Sequence, residues 1–166
     1  MLEFNQPNHA YDLERLGGGA IRVRRATDGE QLTTLDDVER TLTPADLLIC
    51  DGDDVPIGLA GVMGGATTEI ADTTTTVALE VAWFEPLGIA ATVSRSGLRS
   101  DASARFERGV DPYGIDASVA RFVELLGETC PDLTVHAGAV DARAESLPAA
   151  ERRCDVRVSQ ANRIIG

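Results

Sequence analysis

Residues 77–112 read VALEVAWFEPLGIAATVSRSGLRSDASARFERGVDP, and the fold class turns on how this stretch divides. The first eight residues have the length and composition of a strand. Val77, Leu79, Val81 and Trp83 fall on one face, and Ala78, Glu80, Ala82 and Phe84 on the other. Pro86 suits the first turn of a helix that Gly97 would end. Gly109 can close a short turn of helix after it. Asp111 can then cap a further helix over DPYGIDASVARFVELLGETC, with Pro112 in its first turn. The stripe Ile115, Val119, Phe122, Val123 and Leu126 makes that helix amphipathic.

Outward from this stretch, AIRVRRA alternates Ile21 and Val23 with arginines, as a half-buried strand does. DLLICD (46–51) and VPIGLAGVMGG (55–65) read as buried strand material ending in a glycine turn, and ATTEIADTTTT as a loop. LTVHAGAVD and CDVRVS read as late strands, and SQANRIIG as the start of a helix. Strands and helices do not alternate regularly, which predicts an α+β fold rather than a doubly wound sheet.

The totals narrow the function. The 166 residues suit one domain, and 43% apolar residues can fill a core. Without a long apolar run or a basic-then-apolar leader, the chain reads as soluble and non-secreted. Cys50, Cys130 and Cys154 form no CxxC pair, so neither zinc nor a disulfide framework is expected, which fits a reducing cytoplasm. Net charge is −12, and all 15 basic residues are arginine. That balance argues against non-specific duplex binding, though not against a local phosphate site built from arginines.

Four features carry possible chemistry. GLAGVMGG lacks the spacing of a dinucleotide or phosphate loop. It is either a tight turn or a place where backbone N–H groups approach a ligand. Glu80 sits mid-strand between Ala78 and Ala82. A buried carboxylate there needs a partner, either one of the arginines or the donor of a ligand for which the alanines leave space. His9 is either a structural imidazole or one that orients water. Within SDASARFERGVDP, Arg105, Glu107, Arg108 and Asp111 can form an ion network around a buried Phe106, while Ser100 to Ala104 can line a cavity. There is no serine elbow and no order of residues typical of a catalytic triad.

Taken in order, NQPNHAYDLERL, LAGVMGGATTEI, TTTVALEVAWFEP and GLRSDASARFERGVDP resemble the editing domain of the bacterial phenylalanine–tRNA ligase beta subunit. The family pattern runs QP-x-HAFD, AG-x-MGG, LE-x-A-x-F-x-P and TDAS-x-RFERGVDP. The resemblance covers roughly residues 3–145. It implies an α+β, three-layer domain with a β-sandwich-like core over residues 1–150, and residues 151–166 as the truncated start of the next domain.

The activity implied is hydrolysis of tyrosine wrongly esterified to the phenylalanine tRNA. The family's glutamate that reads the tyrosine hydroxyl falls on Glu80, and its pocket histidine on His9. Gly61 and Gly64 match its glycine wall, and Ser100 and Ala102 match positions beside the ring and the hydrolytic water. Ser100 stands where the family often has threonine. Catalytic roles are therefore expected for His9 and Glu80, and substrate contacts for Gly61, Gly64, Gly65, Glu80, Ala82, Ser100 and Ala102, with the Gly64 and Gly65 N–H groups steadying the ester carbonyl.

The resemblance further implies the 3′ end of the tRNA and an alpha subunit, in a heterotetramer of two alpha and two beta chains, as partners. ATP and Mg²⁺ are expected for the whole enzyme and none for this domain, in a cytoplasmic setting with no membrane. A non-catalytic tRNA-docking or scaffold module of the same subunit is the alternative, and a free-standing homologous domain a third reading.

Overall fold

The first strand and the eighth are brought side by side from opposite ends of the sheet-forming region. In the computed structural model, which describes residues 1–144, 147–151 and 153–165, β1 (Asn8–Asp12) pairs antiparallel with β8 (Val77–Val81). The register sets His9 opposite Glu80, Ala10 opposite Leu79 and Tyr11 opposite Ala78. Side chains alternate along a strand, so His9, Tyr11, Ala78 and Glu80 share one face. Asp12 ends β1: its Oδ1 accepts from the Glu14 N–H (3.0 Å), and its Oδ2 accepts from the Thr74 hydroxyl (2.7 Å). That second bond ties the polar loop 66–76 to the end of the strand.

A second antiparallel sheet has the order β2 (Ile21–Arg25), β5 (Leu47–Asp51), β6 (Pro56–Leu59), β7 (Met63–Gly64). Two short strands between, β3 (Gln31–Thr33) and β4 (Glu39–Thr41), form a hairpin of their own. The continuous apolar run of β5 is what a strand covered on both faces requires, and Leu48, Ile49 and Cys50 are all in the core. The edge strand β2 differs from its sequence reading. Ile21 is 41% and Val23 56% exposed, so the alternation is present but its apolar side lies at the surface.

Three helices follow the strands. α1 (Pro86–Ser96) is capped by the Glu85 carboxylate, which accepts from the Leu87 and Gly88 N–H groups, and is closed by Gly97 at φ 67°. α2 (Asp101–Phe106) begins with a reciprocal cap between Ser100 and Ser103. Phe106 at its end is buried edge-on against Phe84, with ring centroids 5.0 Å apart.

α3 spans Ile115–Thr129 and starts later than the sequence predicts. Asp111 does not cap it. Its Oδ1 accepts from the Tyr113 N–H (2.9 Å), so Asp-Pro forms a turn of its own and Gly114 takes the cap position. The expected apolar stripe is half-buried.

Among the described residues all eight strands precede the four α-helices and every strand pairing is antiparallel, which makes the fold α+β. Residues Met1–Val135 form one compact unit and His136–Gly166 a second. Within the second, α4 (Val158–Ile165) matches the helix expected at SQANRIIG, but neither late strand forms among the described residues. An alternating pattern becomes a strand only where a partner completes its ladder. His136 accordingly lies outside any strand.

Candidate functional site

The shared face of β1 and β8 forms one wall of a cavity of about 240 Å³. The turn from β6 into β7 forms a second wall, and the start of α2 a third. Six of the eight residues singled out from the sequence line it: His9, Gly61, Gly64, Glu80, Ser100 and Ala102. They come from segments as far apart as β1 and α2.

Gly61 and Gly64 are required by close approach. Gly61 has φ +69°, and a Cβ there would stand 2.7 Å from Ile89 Cδ1. A Cβ on Gly64 would stand 2.8 Å from His9 Nε2 and closer still to Cε1. The Cε1–Nε2 edge of the imidazole therefore packs against a bare backbone.

The partner of Glu80 is not an arginine. The Tyr11 hydroxyl donates to Glu80 Oε2, and among the described residues no arginine pairs with this carboxylate. Burial pushes the Glu80 carboxyl above the usual carboxylate range, and the bond from Tyr11 works in the opposite direction. Burial, together with the carboxylate charge beside it, pushes the Tyr11 phenol far up, so Tyr11 remains the donor at neutral pH. His9 packs edge-on to Tyr11, with ring centroids 4.5 Å apart and planes at 62°. Burial holds its pKa below the usual histidine range. Its Nε2 is sealed and takes no hydrogen bond among the described residues. This wall therefore presents a neutral imidazole and a carboxylate that already holds one phenol.

Ser100 acts first as a fastener. Its hydroxyl oxygen accepts from the Ser103 N–H (3.0 Å) and donates to the Val62 carbonyl (2.5 Å), binding the start of α2 to the glycine turn. Ala102 packs against the core. Gly65 and Ala82 lie outside the lining. The Gly65 N–H donates to the Ile57 carbonyl (2.7 Å), so it is unavailable to a substrate carbonyl. Ala82 packs on the core, and its carbonyl accepts from Gln6 Nε2 (2.7 Å).

The charges of 105–111 form no common network either. Glu107 pairs with Arg99, Arg105 pairs with the Asp101 carboxylate (3.6 Å) and donates to the Asp101 carbonyl (2.6 Å), and Arg108 donates to the Ala104 carbonyl (2.7 Å).

Sequence reasoning passed over Tyr11, although its two-residue spacing from His9 marks it as facing the same way. Phe84 and Phe106 also line the cavity. No group of three or more histidine, cysteine, aspartate or glutamate side chains among the described residues is placed to hold a metal ion.

Comparison with known proteins gives the family. The family model described as the B3/4 domain matches residues 1–131. The chain belongs to the B3/4 domain family. It is 49% identical over 142 residues to the phenylalanine–tRNA ligase beta subunit of Halalkalibacterium halodurans, covering 86% of this chain and 17% of that protein. The beta subunit of Streptomyces avermitilis is 48% identical over 171 residues, 100% of this chain and 20% of its own length. That of Leifsonia xyli is 58% identical over 126 residues, 76% of this chain and 15% of its own length. This B3/4 chain thus spans a fifth or less of the relatives it matches.

Proposed function

We propose that this B3/4 domain is the editing site of a phenylalanine–tRNA ligase beta subunit, and that it hydrolyses tyrosine misattached to the phenylalanine tRNA. One observation carries the reading: Glu80, a partly buried carboxylate, lines an amino-acid-sized cavity with the Tyr11 phenol as its one side-chain partner among the described residues. A carboxylate that accepts one phenol in an apolar wall is chemically suited to accept another. A pocket that rejects an added hydroxyl only by size discriminates about a hundredfold, whereas a site built to bond the hydroxyl reaches 10⁴–10⁵. An unmatched buried acceptor makes phenylalanine the poor ligand here.

The ester is already activated, so the site has only to hold it beside water and steady the oxyanion. Glu80 anchors the phenol. His9, neutral through burial, helps to position water or the terminal ribose. Gly61 and Gly64 line the pocket and let Ile89 and His9 pack close to their bare backbone, and Ser100 and Ala102 close the ring slot. Gly65 is left out, since its N–H is already used.

The alpha subunit, a two-alpha, two-beta assembly and a cytoplasmic setting belong to this reading. So does residue 151 onward as the start of a following domain. ATP and Mg²⁺ serve the synthetic centre elsewhere in the enzyme, and no residue here is assigned to them. The acidic charge and the retained cavity favour editing over tRNA docking alone. The test is deacylation of Tyr-tRNA(Phe) by the full ligase carrying Glu80→Ala. Loss of a hydrogen bond to a charged group lowers kcat/KM by about 10- to 100-fold. Hydrolysis at the unaltered rate would refute the role of Glu80 and the reading built on it.

A further inference from the structure

Tyr11 is 1% exposed, yet its hydroxyl reaches the cavity wall. It sits directly across from Ala78 and diagonally from Glu80. A diagonal pair on an antiparallel ladder is within reach of an aromatic side chain, and alanine at 78 leaves the ring room to lean that way. His9 holds the other side of the ring. Glu80 Oε2 is thus occupied, while Oε1 takes no hydrogen bond among the described residues and is not one of the sealed polar atoms.

We propose that Tyr11 is the positioning residue for Glu80: by occupying Oε2 it fixes the carboxylate as a one-oxygen reader, with Oε1 presented to a single phenolic donor. This rests on the editing reading and adds to it a feature of this chain, since the family pattern has phenylalanine where Tyr11 stands. A carboxylate with both oxygens free would also welcome a two-pronged or cationic donor. One held at Oε2 matches a lone hydroxyl. The same bond keeps a carboxylate ionised where burial opposes its charge.

Few other charges face it. His9 approaches from β1 and is neutral, and Asp101 lines the cavity from α2. α3, which packs on β8, carries Asp116, Arg121, Glu124 and Glu128, with Arg121 paired to Glu3 and Glu124. The shift at Glu80 has only burial and Tyr11 as causes.

The experiment uses the full ligase containing this chain and compares hydrolysis of tyrosyl and phenylalanyl esters of tRNA(Phe) across pH. Tyr11→Phe keeps the ring and removes the donor. The expected result is a tyrosine-over-phenylalanine selectivity lower by about tenfold and an acid limb displaced to higher pH. In a Glu80→Ala background the same change should cost nothing further. 3-Fluorotyrosine at position 11, a stronger donor that keeps the hydroxyl, should move the acid limb the other way and serves even if Tyr11→Phe fails to fold.

Unchanged selectivity and pH limb in Tyr11→Phe, with selectivity lost in Glu80→Ala, would overturn the role of Tyr11 and leave the editing reading standing. A further loss in the Glu80→Ala background would also overturn it. Selectivity retained in Glu80→Ala itself would remove both.

Discussion

Adding one methyl group at Gly64 should disable the site without unfolding the domain. The Cβ would lie 2.8 Å from His9 Nε2 and 3.2 Å from Leu35 Cδ1, where ordinary contact begins near 3.4 Å. The imidazole therefore has to retreat by more than about 0.6 Å. It cannot move freely, because the Tyr11 ring lies edge-on beside it. Overpacking of this kind costs about 1–3 kcal/mol of stability. The effect on chemistry is larger in proportion, since misplacement by about 1 Å can cost on the order of 10²-fold in rate.

Gly64→Ala in the full ligase should therefore lower Tyr-tRNA(Phe) deacylation by on the order of 10²-fold while the domain still unfolds cooperatively. Gly127→Ala is the matched control. A Cβ there meets nothing within 4 Å and the residue lies inside α3, so stability should rise by about 0.5–1 kcal/mol with deacylation unchanged. If Gly64→Ala edits at the parent rate, the imidazole is not the group whose placement matters, and the role of His9 is wrong.

Two further outcomes are expected. Ser100→Ala removes a helix cap and the strap to Val62, so thermal or denaturant unfolding should show a loss of about 0.5–2 kcal/mol; Ser100→Thr, which keeps the hydroxyl, should recover most of it, and equal stability of all three would refute the strap. Glu80→Gln tests the buried charge: because the folded carboxyl titrates above its ordinary 4.5, the folded state holds the proton more tightly, and the parent loses stability as pH rises from that ordinary value through the raised one. The substituted protein lacks that loss, so the two stability–pH curves should separate upward of about pH 4.5, and parallel curves would contradict it.

Much of this molecule can be read along the chain, and the reason is locality. Pro86 and Gly97 mark the ends of α1 because the first-turn preference of proline and left-handed closure are decided within a few residues. The apolar run of β5 and the glycine turn after β6 carry their own signals, and a carboxylate between two alanines announces that something must answer it. Residue types pointed to His9 and Glu80, and the resemblance to the editing domain pointed to Gly61, Gly64, Ser100 and Ala102.

What answers Glu80 was decided only in three dimensions. The separation of 69 positions between Tyr11 and Glu80 is closed by the β1–β8 ladder, and no local pattern sets a register across that distance. The same limit accounts for the misread elements. Asp111 found a nearer N–H than the helix it could have capped. The Gly65 N–H went to Ile57, and the alternating segments after α3 had no ladder to join. Local sequence states which bonds a residue can make; the tertiary fold decides which partner arrives first, because burial leaves each polar group a single chance to be satisfied.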